Sequence, residues 1–341
     1  MIDRRELLSS MIVAPASGTA GHKRIVITGA RGFLGQHLCR ALVGSGYSVV
    51  GTTRDDSAQV YGSAGYRLIH APNSQSDSTL SDLLDEDCVV VHLAALAHEA
   101  GLSGTEDDFQ MANVQASERL GRRARDAGIE QFVFLSSIKV NGERTTDKPF
   151  GPQSELNPVG PYARSKVAAE NSLQDIFSGS GTRLSIVRAP LVYGPEVRMN
   201  FLKLIRLVDS RVPLPFGAVD NRRSMISVWN LCDLIRTLIE TPNAKSATWM
   251  ASDGFDLSTP ELIRRLAAAM GRRARLVPIS PRVLRSVGRL TRYDSQIEKL
   301  CDSLQADILA TQKNLNWTPP LTIDDGIERT IDWYLTSVRT V

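Results

Sequence analysis

Tyr162 and Lys166 stand four residues apart, directly after Pro161. Proline at a first helical position, followed by good helix formers, predicts a helix starting here. Positions four apart share a helix face, so the phenol and the ammonium are expected side by side near the helix N-terminus. A neighbouring cation and the positive end of the helix dipole both favour phenolate, so the expected phenol pKa is lowered. Such a phenol can act as acid and base in an alcohol–ketone interconversion. Alone, the pair is a chance-level match and more often a surface contact than a site. Ser137 changes its weight. It lies 25 residues upstream at the end of the apolar run Gln131-Phe132-Val133-Phe134-Leu135, where a parallel sheet opens onto its ligand crevice.

A second constellation lies near the start of the chain. Arg24-Ile25-Val26-Ile27-Thr28 reads as a short buried strand, and it runs into Gly29-Ala30-Arg31-Gly32-Phe33-Leu34-Gly35. Leu34, Leu38, Ala41 and Leu42 then recur at helical spacing until Gly44-Ser45-Gly46. Strand, glycine turn and helix are the context in which G-x-x-G-x-x-G binds a dinucleotide. Gly29 permits the tight turn, Gly32 lets the backbone approach a pyrophosphate, and Gly35 lets helix pack on strand. The helix N-terminus offers free N–H donors to the phosphates. The next strand ends at Thr53-Arg54, a hydroxyl and a guanidinium that suit a 2′-phosphate, so the expectation leans to NADP over NAD. A further buried strand, Asp87 to Ala95, ends in Leu93-Ala94-Ala95, small enough at the alanines for the chain to pass under a cofactor.

The elements that must position these groups alternate as β-α-β-(α)-β-α-β, which argues for a parallel sheet with helices on both faces. Residues 109–127 read as a long amphipathic helix with Met111, Val114 and Leu120 on its apolar side. Residues 257–270 and 282–290 read as helices of a small C-terminal lobe, and 324–334 as a closing helix. His92 reads as a satisfied core histidine, while His98 and Glu99 fall in a loop. Residues 1–22 are expected to be a flexible extension, 23–190 mainly the nucleotide-binding domain and 191–341 mainly the substrate lobe, with the chain crossing between the two. A net charge of +3 over 341 residues is too slight to imply nucleic acid, and the paired arginines read as solvated positions. No run approaches the roughly 18 apolar residues of a membrane span. Cys39, Cys88, Cys232 and Cys301 form no C-x-x-C pair. Reduced thiols, no metal and a cytoplasmic location are expected.

The glycine turn, Ser136-Ser137, Tyr162-x-x-x-Lys166 and Arg188-Ala189-Pro190-Leu191-Val192-Tyr193-Gly194-Pro195 together resemble the extended short-chain dehydrogenase/reductase family. Pro213-Leu214-Pro215-Phe216-Gly217, Arg222-Arg223-Ser224-Met225-Ile226 and Leu315-Asn316-Trp317-x-Pro319-Pro320 extend the likeness, which runs from about residue 23 to 335. The branch is that of nucleotide-sugar epimerases, dehydratases and reductases. The resemblance implies a Rossmann doubly wound parallel sheet with a smaller C-terminal substrate lobe. It implies a catalytic triad of Tyr162 as acid/base, Lys166 on the nicotinamide ribose and Ser137 on the reacting oxygen. It places Arg31, Phe33, Leu34 and Asn113 with the cofactor contacts, Asn113 as support for the active-site backbone. It assigns Asn200 to the sugar nucleotide diphosphate, and Gly217 and Arg223 to uridine and phosphate. A homodimer is implied, built from the helix of residues 109–127 and the helix of Tyr162.

Ser136-Ser137-Ile138-Lys139-Val140-Asn141-Gly142-Glu143 looks most like bacterial polysaccharide-locus members that act at C4 of UDP-linked N-acetylated hexoses. These include 4-epimerases and 4-keto reductases, between which the residues do not choose. A 4,6-dehydratase is the weaker alternative, because that branch typically carries Asp-Glu where Ile138-Lys139 stand. A non-catalytic dinucleotide-binding regulator is weaker still, since Tyr162 and Lys166 are both present. Leu191 replaces a common Asn, and His70-Ala71-Pro72 replaces the usual adenine-side pair.

Overall fold

The computed structural model describes residues 23–53, 65–71, 82–96, 105–241, 245–291 and 294–339. In chain order they form β1 (Arg24–Thr28), α1 (Phe33–Gly44), β2 (Ser48–Thr53), β3 (Arg67–His70), β4 (Cys88–His92), α2 (Glu106–Phe109) and α3 (Ala116–Asp126). Then come β5 (Gln131–Ser137), α4 (Gly160–Phe177), β6 (Arg183–Ala189), β7 (Leu191–Tyr193), α5 (Met199–Asp209), β8 (Met225–Ser227) and α6 (Val228–Glu240). The chain closes with β9 (Ala247–Met250), α7 (Thr259–Ala269), α8 (Pro281–Thr291), α9 (Asp294–Cys301), α10 (Leu309–Leu315) and α11 (Ile323–Trp333).

Seven strands form one sheet in the order β3-β2-β1-β4-β5-β6-β9. Every pairing in it is parallel, including Thr28 opposite His92 and Ser137 opposite Ala189. The doubly wound sheet read from the alternating pattern is therefore the observed one. Its central strands β1 and β4 are apolar through most of their length because both faces are covered by helices. Ile25, Val26, Ile27, Val89, Val90 and Val91 are all fully buried. The order reverses between β1 and β4, which opens the crevice at their carboxyl ends. β9, from the second half of the chain, returns to extend this sheet beside β6. A separate apolar cluster, with Tyr193, Phe201, Ile205, Ile263, Ile327 and Ile331 at its centre, lies under α5, α7 and α11.

Two local expectations change. The long helix of residues 109–127 begins earlier, at a capping box in which Thr105 and Asp108 bond each other's backbone N–H groups. It then passes through a π-helical turn, Gln110–Gln115, before α3. The extra residue of that turn rotates the helix face. Met111, expected on the apolar side, is consequently 52% exposed, while Val114 and Leu120 stay buried. Elsewhere the start signal holds, since Pro161 lies in the first turn of α4; the structure adds a capping box of Ser258 with Glu261 at the start of α7. Residues 1–22, His98, Glu99 and Arg54 lie outside the described residues.

Candidate active site

The crevice is floored by the β1–α1 turn. Gly29 has φ +73°, and a side chain there would also come within 2.9 Å of the Ala94 backbone nitrogen. A Cβ at Gly35 would sit 2.2 Å from the Gly29 carbonyl oxygen. These glycines therefore let β1, α1 and the β4 loop approach one another as no larger residue could. Gly32, extended in backbone, is the N-cap of α1 and makes no side-chain cap bond. The first-turn N–H groups behind it form an anion-binding end of a twelve-residue helix. Phe33, which follows the cap, is packed between the main core and the Tyr193 cluster; Leu34 is buried in the main core. Arg31 is exposed on the turn.

The loop after β4 forms the neighbouring wall. The Ala94 N–H donates to Thr28 Oγ1 at 3.2 Å, which ties Leu93-Ala94-Ala95 to the end of β1. Asn113 is 1% exposed and fully engaged. Its Oδ1 accepts from the Leu96 N–H at 2.7 Å, and its Nδ2 donates to the Leu96 carbonyl at 3.0 Å and to Ser165 Oγ at 2.9 Å. Asn113 thus braces the cofactor-side loop against the helix that carries Tyr162. This backbone-supporting role is the part of its expectation that the geometry displays; its polar atoms point at protein. Thr53, buried at the end of β2, marks the far side of the cradle.

The catalytic groups converge at the end of β5. The Ser137 side chain lies beside the Tyr162 phenol and pulls its pKa down, and Ser137 Oγ accepts from the Lys139 N–H at 3.3 Å. Tyr162 keeps part of its surface open to the cleft and meets Phe109 edge-on, with ring centroids 6.4 Å apart. The expectation of a lowered phenol pKa is corrected here. Burial pushes the Tyr162 phenol up, and Ser137 opposes this only in part. Lys166 does not supply the missing charge, because its Nζ donates to the Leu135 carbonyl at 2.9 Å and lies over the Phe134 ring at 4.6 Å. Burial also lowers the Lys166 pKa to about 8, against the opposing pull of Glu170.

One turn beyond Lys166, sequence reasoning missed a buried ionic brace. Glu170 is 1% and Arg188 4% exposed, and their ion pair is 2.6 Å long with further contacts from Arg188 Nε. Ser136 donates to the same carboxylate, and Arg188 reaches the Asn141 side chain at 3.4 Å. The network clamps β5, β6, α4 and the loop after Ser137 into one unit. Removing one member would leave an uncompensated buried charge. Arg188 stood in the quoted motif, but nothing local named its partner. His92 is the satisfied core group expected: Nδ1 and Nε2 bond Thr28 Oγ1 at 2.6 Å and Ser117 Oγ at 3.0 Å.

Across the crevice lie the groups expected to hold substrate. Asn200 is exposed in the first turn of α5. Gly217 lets residues 277 and 278 pass close, since a Cβ would lie 3.0 Å from the Val277 carbonyl group. Arg223 is half-buried and donates to the Asp302 carbonyl at 2.9 Å. Burial lowers its pKa, while Glu143 and Asp302 pull it back up. Lys299, unforeseen from the sequence, feels Lys139, Glu143 and Arg223, and burial lowers its pKa. Lys139 in turn pairs with Glu143 at 2.8 Å. Three cations that share the Glu143 carboxylate therefore extend from the residue two beyond Ser137 to the C-terminal lobe. This field suits a diphosphate. The loop after Ser137 is sewn to that lobe by backbone bonds, including Thr145 N–H to Ser303 and Phe150 N–H to Gln305, both 2.8 Å. Among the described residues no group of three or more His, Cys, Asp or Glu gathers as a metal site.

Comparison with known proteins agrees with this geometry. Residues 25–249 match the NAD dependent epimerase/dehydratase family. A UDP-glucose 4-epimerase of Vibrio cholerae is 35% identical over 92% of this chain and 96% of its own length. A mouse dTDP-D-glucose 4,6-dehydratase is 24% identical over 92% of this chain and 88% of its own. Among solved structures, MoeE5 in complex with UDP-glucuronic acid and NAD is 25% identical, with a TM-score of 0.73 over 92% of this chain and all of the other. The glycine cradle, the serine–tyrosine contact and these likenesses converge: the chain belongs to the NAD dependent epimerase/dehydratase family, in its short-chain dehydrogenase/reductase-type nucleotide-sugar branch.

Proposed function

We propose that this protein is an NAD(P)-dependent oxidoreductase acting at C4 of a UDP-sugar, a hexose or N-acetylhexosamine, with 4-epimerisation the favoured outcome and 4-keto reduction the second reading. The observation that carries it is the meeting of Ser137 and Tyr162 at the carboxyl end of β5, beside the glycine cradle. The Vibrio cholerae relative supports epimerisation. The Thr53-Arg54 pair supports the 2′-phosphorylated cofactor and, with it, reduction. Precursor supply for a bacterial surface polysaccharide, a cytoplasmic site of action and a homodimer complete the proposal.

The cofactor fits the residues present: Gly29, Gly32 and Gly35 clear the space for its pyrophosphate, and the α1 N-terminus faces it with N–H donors. When bound, the nicotinamide supplies hydride acceptance and donation. The chain's own groups do the rest. Ser137 donates to and orients the sugar oxygen, and Tyr162 Oη takes its proton or returns it. Lys166, anchored on the Leu135 carbonyl one turn along from Tyr162, holds the ribose side. Arg223, Lys299 and Lys139 bind the diphosphate. The elevated phenol pKa keeps Tyr162 protonated in this arrangement, so a positive charge nearby is what makes it a base.

Tyr162→Phe tests the reading directly. Turnover of UDP-glucose, UDP-N-acetylglucosamine and their C4 epimers should vanish while NAD binding by fluorescence persists; full activity in the variant would overturn the assignment. Interconversion of C4 epimers without added cofactor favours epimerisation, whereas strict dependence on added NADPH favours reduction.

A further inference from the structure

The C-terminal lobe carries a feature that the reaction does not use. From Leu262 to Tyr293 the chain holds nine arginines and not one aspartate or glutamate. Arg272 is held by Asp209, and Arg285 pairs with Asp302 at 2.7 Å. Among the described residues no ion pair involves Arg273, Arg282 or Arg289, and all three are exposed. Just upstream of α8, Arg211, Arg272, Arg273 and Arg275 line an open basin of about 450 Å³ whose walls include no acidic side chain.

α8 itself is docked by one edge. Leu284 and Gly288 are its buried positions, and a Cβ at Gly288 would lie 2.9 Å from the Ile297 side chain of α9. On its open side Val283 is 52%, Val287 48% and Leu290 85% exposed. Spaced i, i+4 and i+7, these three lie within about 60° of arc on a helix of 3.6 residues per turn. Arg282 and Arg289 stand beside them on the same open surface. The result is an apolar ridge flanked by cations.

We propose that α8 docks this protein on a lipid bilayer bearing anionic headgroups. Val283, Val287 and Leu290 enter the boundary between headgroups and acyl chains, and Arg282 and Arg289 pair with lipid phosphates. An apolar ridge on a basic helix is the signature of interfacial binding. Charge decides the occupant. An isologous contact with a second copy would bring the two arginine sets into one interface, where like charges repel. A patterned protein partner would have to supply acidic groups along the whole ridge, whereas an anionic membrane supplies them everywhere. The association is peripheral, because no helix among the described residues is long and apolar enough to cross a membrane.

The test is co-sedimentation of the full chain with vesicles of phosphatidylcholine alone and of phosphatidylcholine mixed with phosphatidylglycerol. Binding should require phosphatidylglycerol and weaken with salt. Arg282→Glu with Arg289→Glu should lower partitioning by about thirty-fold, on the scale of about fivefold per basic residue lost at short range. Val287→Asp with Leu290→Asp should lower it to a similar degree. Cofactor binding and the thermal midpoint should stay unchanged in both variants, since the replaced side chains are exposed. Absence of binding to the anionic vesicles overturns the proposal, and so does parental binding by either double variant. A molecular mass that halves in Val287→Asp with Leu290→Asp would assign the ridge to a second copy instead. Equally tight retention of duplex DNA, lost in the same variants, would assign it to nucleic acid.

Discussion

On the cofactor side of the crevice, recognition is prepared by backbone and by side chains that are missing. Gly29 and Gly35 let three chain segments meet at distances no Cβ would tolerate, and Ala94 passes beneath. On the substrate side, recognition is prepared by charge. Lys139, Glu143, Arg223 and Lys299 come from three separated stretches of chain and meet only when the C-terminal lobe closes on the loop after Ser137. The first arrangement is rigid and chemically neutral; the second is half-exposed and set by electrostatics. A shared cofactor with variable sugars fits such a division, because side-chain charges can change without disturbing the sheet.

Substitutions can break this contrast, beginning with the brace that joins the two sides. Arg188→Met should destabilise the protein by about 3–5 kcal/mol, since it strands the Glu170 carboxylate in the interior. Chemical denaturation measures this, and a loss below about 1 kcal/mol would show the brace to be dispensable. Gly35→Ala should abolish cofactor binding and cost about 1–3 kcal/mol, because the methyl group meets backbone that cannot step aside. Calorimetric titration with NAD, alongside a melt, separates the two effects. The pH profile is the third test. Lys166 keeps its charge below its pKa of about 8 and loses it above. Turnover should therefore fall about tenfold per pH unit beyond that point if the ammonium is required. Lys299→Met should raise the KM for a UDP-sugar by about tenfold and leave NAD affinity and stability unmoved, as expected for one lost charge-assisted bond. Glu143→Gln is the smallest change and the sharpest for sign. It removes the carboxylate that Lys139, Arg223 and Lys299 all feel, so UDP should bind two- to fivefold more tightly, about the scale of a half-exposed ion pair.

Much of the architecture was legible before the structure. β1, the glycine turn and α1 are contiguous, so their geometry follows from short-range rules about φ and packing. Pro161 marked a helix start for the same reason. Where the reading failed, the deciding contact was remote. Met111 looked buried on a regular α-helix, but a π-helical turn shifted it out to solvent. The lowered Tyr162 pKa was inferred from the i, i+4 spacing to Lys166. In the fold Lys166 is drawn instead to the Leu135 carbonyl, and burial dominates the phenol. Lys299 carried no signal at all, because its neighbours lie far away in sequence.

By itself, then, the sequence determined the doubly wound sheet, the dinucleotide turn and the candidate triad, because each rests on residues close in the chain or on a repeated pattern of strand and helix. Only the tertiary structure decided that Glu170 braces Arg188, that Asn113 ties Leu96 to the catalytic helix, and that Lys299 joins Arg223. Charges and buried polar atoms act through distance and through exclusion of water. Neither quantity exists until the segments have met.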